Sequence, residues 1–582
     1  LRRRGPDACH VEEVEVPGEA KFALCATVLG LRGPNVAVQP VKDEQGNLLA
    51  WNGEMFGDPS VPDTECDTHV LLERLSHCTS EPELLSVMSH IEGPWAFVYY
   101  KRNTQQLWFG RDVFGRRSLL YRKEGLDNIA VVSVVSPRPS EHWRELPANG
   151  IYCLSLTPTK SSWLRLFPWD QRPTGGTFKL WRSWCDTKTS CPLNATVTDS
   201  IQSQFSSALN REPGNGPPPM PPLEEDFFRK VKEEHEEIRN AMVQLDSVLY
   251  EAVRRRLCNH TTVCRSCIPH HRKGIPGVPQ CSHASVAVLF SGGLDCMVIA
   301  AMCARFLPKR CPIDLLNVAF EHEVQVTDSE GKTKQYVKSY DTPDRVTARE
   351  GLEELRAAFP EHEWNLVEID VSTEELQSQR TRHIRNLIYP LNTRLDDSLG
   401  CAVWFAARGQ GKIFGAERSD DAPYVSPARI VFLGMGADEQ LGGYIRYWKA
   451  YKHSHWEGLI GEMALDINRI AKRNLGRDDR VVSDHGREAR LPYLDKDVVS
   501  FVNRLPIWMK LNPNLPDYVG GKFLLRMLAA DLGLNEAAFR RKRAMQFGSR
   551  VVQAEPSRGK GSDICEELVN MYLGPNDHSG DD

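Results

Sequence analysis

Two hydrophobic rhythms divide the chain. From residue 21 to about 153, short alternating or apolar runs (22–29, 96–100, 107–110) are punctuated by Gly, Pro and Asn clusters. That pattern predicts a β-rich domain. One stretch, 67–75, carries its apolar residues at helical spacing instead. Between 158 and 222 the periodicity fades into Pro, Ser and Thr, and 214–222 reads as an extended, polyproline-like linker. A charged helix is predicted over 224–256, with Leu245, Val248, Leu249 and Val253 as its apolar stripe. From 285 onward, strand-like runs (285–290, 314–320, 364–370, 430–433) alternate with helix-like ones (344–359, 373–388, 399–408). Such alternation predicts a parallel sheet covered by helices. Beyond residue 444 the chain reads as mostly helical. The expected division is a first domain over 1–205, a linker over 206–224 and a second domain over 225–582.

Composition changes this picture little. A chain of 582 residues has room for two or three domains. Its 41% hydrophobic and 26% charged residues are those of ordinary globular protein. A net charge of −5 gives no electrostatic reason to expect a nucleic-acid or membrane partner. No apolar run approaches the ~18 residues of a membrane span, and no signal peptide is visible. Most of the 16 cysteines stand singly in apolar runs (Cys25, Cys153, Cys296, Cys303, Cys401), as reduced cysteines do in a cytoplasmic protein. The glycosylation sequons at Asn194 and Asn259 are then coincidences. A homodimer is compatible with all of this. The chain opens at Leu1 rather than Met, so the expectation is an N-terminally incomplete stretch.

Chemistry enters at residue 285. The run Ser285-Val-Ala-Val-Leu-Phe-Ser-Gly-Gly-Leu-Asp-Cys296 is a strand breaking into a glycine turn, followed by good helix formers. Backbone N–H groups and the helix dipole converge at such a turn and can hold a phosphate. Gly292 and Gly293 allow close backbone approach. Ser291 adds a hydroxyl donor, and Asp295 can hold Mg2+ against phosphates. No Walker A loop occurs. A second glycine turn, Gly434-Met-Gly-Ala-Asp-Glu439, ends the run 430–433 and presents adjacent carboxylates. Ligands of open parallel sheets bind at the strands' carboxyl ends, so both turns can face one ATP. Asp295 and Asp438 form the expected metal pair, and Leu289, Val318, Leu433 and Gly434 are expected to frame the adenosine.

With Glu488-Ala-Arg-Leu-Pro-Tyr-Leu-Asp495 added, these motifs resemble those of the asparagine synthetase family. Arg4-Gly-Pro-Asp7, Trp51-Asn-Gly-Glu54, Asp67-Thr-His-Val-Leu and Gly110-Arg-Asp-Val-Phe-Gly-Arg116 are similar in order to that family's class II glutaminase domain. The resemblance implies an N-terminal-nucleophile-like β-rich domain followed by a Rossmann-like, parallel-sheet ATP domain with a pyrophosphate loop. It implies that aspartate, glutamine and ATP become asparagine, AMP and pyrophosphate. Lys542, with Asp438 and Glu439, takes the catalytic role by this resemblance. Arg32 and Asp67 would hold the two charged ends of glutamine. Asn52 and Gly53 would form the oxyanion hole, with Glu54 in the same set.

Three departures accompany the resemblance. Class II glutaminases use an N-terminal cysteine whose own amino group is the base, and no internal cysteine of this stretch can replace it. Met435 stands where the family has a glutamate and cannot accept a proton. Cys296 and Ala437 replace serines that would donate to phosphate. Two readings therefore stay open: an amidating enzyme, on aspartate or a related acid, and a nucleotide-binding relative with an interaction or regulatory role. Separately, Cys258, His260, Cys264, Cys267, His270, His271, Cys281 and His283 crowd one insert. Tetrahedral zinc suits such donors. Their spacing matches no standard finger, and a plain insert between helix and strand is the simpler reading.

Overall fold

The computed structural model describes residues 1–16, 20–32, 36–58, 61, 65–124, 128–138, 141–156, 164–169, 216–258, 267, 281, 283–327, 334–416, 423–554 and 563–565. The sequons, most of the Pro-rich stretch, and His260, Cys264, His270 and His271 lie outside these residues.

The N-terminal half is built on an antiparallel six-stranded sheet. Its order is Leu164–Pro168, Gly150–Ser155, Gln106–Arg111, Trp95–Lys101, Leu48–Gly53, Val41–Lys42. Alternation sorts each strand between two cores. Phe97, Tyr99, Trp108, Ile151 and Cys153 pack on the helices Asp67–His77 and Glu81–His90. Ala96, Tyr100, Phe109, Tyr152 and Leu154 face Val16, Leu24 and the strand Leu120–Glu124 on the other side. The sequence pattern missed the helix Glu81–His90 and the strand Ala8–Glu15, whose residues are exposed or half-exposed and show no clean apolar rhythm.

The C-terminal half is a seven-stranded sheet in the order Tyr424–Val425, Gln410–Ile413, Trp364–Val371, Ile313–Phe320, Val286–Leu289, Ile430–Phe432, Glu488–Arg490. The last five run parallel, and numbered along the chain they stand as 3-2-1-4-5, a doubly wound arrangement. Both faces are covered, which is why these strands read as continuous apolar runs. Val286, Val288, Ile313 and Phe432 pack on the helices Glu236–Arg255, Leu294–Phe306 and Phe523–Asp531. Ala287, Val318, Val367 and Val431 pack on Arg394–Arg408 and Leu475–Ser483.

Two predicted helices come out divided. The stretch 224–256 is the pair Phe227–Glu234 and Glu236–Arg255, broken at His235. Leu245, Leu249 and Val253 are fully buried, and Val248 is half-buried. The stretch 373–388 opens into a π turn, Arg380–Ile384, which carries buried Arg380 to buried Asp397. Among the described residues no helix is long and apolar enough to cross a membrane.

Charged groups buried between the halves join them. Arg4 Nη2 lies 2.7 Å and Arg117 Nη1 3.2 Å from Asp479. Arg117 Nη2 also meets Glu488 at 2.6 Å, and Arg480 reaches Glu145 at 2.8 Å. Burial would push the Asp479 carboxyl up, but the guanidiniums of Arg4 and Arg117 outweigh it and hold it below the ordinary range. Glu488 and Arg490 belong to the sheet's edge strand. Arg490 bonds Glu488 at 2.8 Å and approaches Glu54 of the other half at 3.5 Å.

Candidate active site

The sheet's winding reverses between Val286–Leu289 and Ile430–Phe432, the place where doubly wound folds bind ligands. Both glycine turns leave their strands there and line one cavity of about 450 Å³. Leu289, Ser291, Gly293, Asp295, Val318, Leu433, Gly434, Asp438, Glu439 and Lys542 all reach its wall. Gly292 shapes the turn from behind. Its φ is +70°, and a Cβ there would meet the Thr347 carbonyl oxygen at 2.1 Å, so only glycine fits. The Thr347 hydroxyl donates to the Ser291 carbonyl at 2.9 Å and ties the turn to the helix Pro343–Ala358.

At the cavity's centre stands a residue that the motifs did not reveal. Lys522 is 3% exposed, and its ammonium lies 2.7 and 2.6 Å from the Asp295 oxygens and 2.7 Å from Asp438 Oδ1. Lys542 holds the other Asp438 oxygen at 2.9 Å. Burial would raise Asp438, but these two lysines keep its carboxyl far below the usual range. Burial and the Asp438 charge instead raise Asp295, with Lys522 opposing them. Lys522 keeps its proton because both carboxylates outweigh the cost of its burial. The expected metal pair is therefore bridged by an ammonium. The hard oxygens of Asp295 and Asp438 suit Mg2+ and would hold it when it is bound.

Glu439 also lines the cavity, next to Asp438. The Tyr444 hydroxyl donates to it at 2.6 Å, and burial followed by the Asp438 charge raises its carboxyl. The Lys542 ammonium lies 4.5 Å above the Tyr444 ring, so this pair forms a wall beside the two aspartates.

A second cavity, of about 490 Å³, opens in the N-terminal half. Arg32, Asn52, Gly53, Glu54 and Asp67 line it, together with Arg117, Asp479 and Glu488 of the junction between halves. Arg32 Nε bonds Glu54 at 2.7 Å and Nη2 the Met55 carbonyl at 2.8 Å. Arg32 Nη1 is buried without a partner among the described residues. Asp67 accepts the Met55 N–H at 3.0 Å. Burial, with the Glu54 charge behind it, pushes the Asp67 carboxyl up to about 7. Glu54 turns its oxygens to Arg32 at 2.7 Å and Arg490 at 3.5 Å, so it braces the arginine expected to hold glutamine.

Comparison with known proteins agrees with both halves. Residues 34–137 match a family model described as a glutamine amidotransferase domain, and 446–572 match one described as asparagine synthase. The second match begins beyond both glycine turns. Asparagine synthetase domain-containing protein 1 of Bos taurus is 39% identical over 98% of this chain and 95% of its own length. The Homo sapiens protein of that name is 38% identical over 98% and 94%.

This chain belongs to the asparagine synthetase domain-containing protein family.

A putative glutamine-hydrolysing asparagine synthetase of Methanocaldococcus jannaschii is 31% identical, over only 25% of this chain and 32% of its own. Within the synthetase-like half of this family member, Met435 packs half-buried against the apolar core at the cavity wall. Its sulfur is 4.0 Å from Asn474 Nδ2. Asn474 lines the same cavity, and its Oδ1 is buried with no partner among the described residues. Neither Asn474 nor Lys522 belongs to a readable motif. The one local sign at Lys522 is backbone geometry that sequence does not show, a left-handed φ of +57° in a residue other than glycine.

Proposed function

We propose that this chain activates a carboxylate with ATP and transfers a nitrogen to it, with aspartate as the acceptor and asparagine as the product. The observation that carries the reading is the pair of glycine turns at neighbouring strand ends, with Asp295, Asp438, Lys522 and Lys542 in one cavity. A carboxylate oxygen attacks the α-phosphorus of ATP, pyrophosphate leaves, and ammonia then displaces AMP from the acyl adenylate. The lysines offset negative charge that grows on the phosphates. When bound, Mg2+ would neutralise phosphate charge from Asp295 and Asp438. The N-terminal cavity would take glutamine as the nitrogen source, its carboxylate on Arg32 and its ammonium on Asp67.

The second reading, a nucleotide-binding relative without amidation, is favoured by Met435 at the ammonia-facing wall. Pyrophosphate release measured with aspartate and ATP, with glutamine and ammonium supplied separately, decides between them. Aspartate-dependent release supports the enzyme. ATP binding with no release under either nitrogen source supports the relative.

Asp67 gives a pH test. Its raised carboxyl costs the fold stability as pH climbs from the unfolded value near ~4 to about 7, because the unfolded chain ionises there while the buried group still holds its proton; above about 7 the loss is complete. Glutamine's ammonium needs that ionised form. Glutamine affinity is expected to fall roughly tenfold per pH unit below about 7 and to become flat in Asp67→Asn, as calorimetric titration on both sides of pH 7 will show.

A further inference from the structure

Away from both cavities, three soft donors converge in a place that the proposed chemistry does not use. The Cys267 and Cys281 sulfurs and a His283 nitrogen all lie within 4.8 Å of one another. Cys267 Sγ is 3.5 Å and Cys281 Sγ 3.6 Å from His283 Nδ1. A zinc ion with Zn–S of about 2.3 Å and Zn–N of about 2.0–2.1 Å at tetrahedral angles separates sulfur from nitrogen by roughly 3.6 Å. The two contacts thus have the length of tetrahedron edges. Both cysteines are half-buried and His283 is exposed, so an ion can reach them from solvent.

Both cysteines are reduced.

We propose that Cys267, Cys281 and His283 bind a zinc ion, whose fourth tetrahedral position is left to water. Binding displaces the thiol protons, which leave to solvent. The ion ties the insert to the base of the strand Val286–Leu289, which carries the Ser291 turn at its other end.

The full chain, stripped by chelator under reductant, tests this with Zn2+ and Co2+ alone. The expected result is one equivalent of zinc, and with cobalt the intense visible bands of tetrahedral coordination plus a thiolate-to-cobalt band. Cys281→Ser should weaken zinc binding by more than ~100-fold, since loss of even outer-shell partners costs 10–100-fold. His283→Ala, at an exposed position, should do the same if Cys281→Ser does not fold. Wild-type chain that takes up no stoichiometric zinc and shows no thiolate band overturns the site. So does zinc binding undiminished in both Cys281→Ser and His283→Ala, or a disulfide between Cys267 and Cys281 in reductant-free protein that then ignores zinc.

Discussion

Lys522→Met is expected to lower carboxylate-dependent pyrophosphate release by ~10²–10³-fold, the usual cost of removing one preorganised electrostatic donor. The same change should destabilise the protein by about 3–5 kcal/mol, because it leaves buried carboxylates without their counter-charge. Asp438 retains Lys542 at 2.9 Å, whereas no other cation is paired with Asp295 among the described residues, so Asp295 bears most of the loss. On the proposed reading Asp295 and Asp438 would hold Mg2+, so part of the stability should return with added magnesium while the rate does not. Denaturant unfolding with and without Mg2+, beside a pyrophosphate assay, reads both effects. An unchanged rate in folded Lys522→Met would show that the ammonium only fills space between two acids.

Met435→Glu is the second large effect and runs in the opposite direction. Ammonium must lose a proton before it can attack an acyl adenylate, and a thioether cannot take one. General-base assistance is typically worth ~10²–10⁴-fold, so ammonium-dependent synthesis should rise by that order in the variant. Glu439 is no substitute, because Tyr444 holds it at 2.6 Å. The new carboxylate would stand beside Asn474 Nδ2, a ready donor to orient it. Equal rates in wild type and Met435→Glu would mean that the family's glutamate is dispensable here. Two inactive proteins that still bind ATP would establish the non-amidating reading.

What could be read from sequence follows burial. The strands that carry Ser291 and Gly434 are covered on both faces, so they stand out as apolar runs that end in glycine, and the turn chemistry sits at their ends. The strand Glu488–Arg490 was invisible as a strand for the opposite reason. Its polar residues look like surface, yet they are buried because the other half brings countercharges to them. Lys522 was hidden by distance, since its partners Asp295 and Asp438 come from far along the chain and only the fold assembles them. The contact of Glu54 with Arg490 was equally hidden, because the two stand far apart along the chain.

The ions shared between the two halves carry an implication for how such a chain can be inherited and dissected. Arg4, Arg117 and Glu145 need Asp479, Glu488 and Arg480, and each set is buried by the other. Cut at the proline-rich connection, either half would present desolvated charges with no answering group, at several kcal/mol apiece. The connection can therefore drift freely in length and composition, while the two modules stay wedded as one cooperative folding unit. Recombination that swaps one half for a distant cousin's would have to carry the matching charges with it.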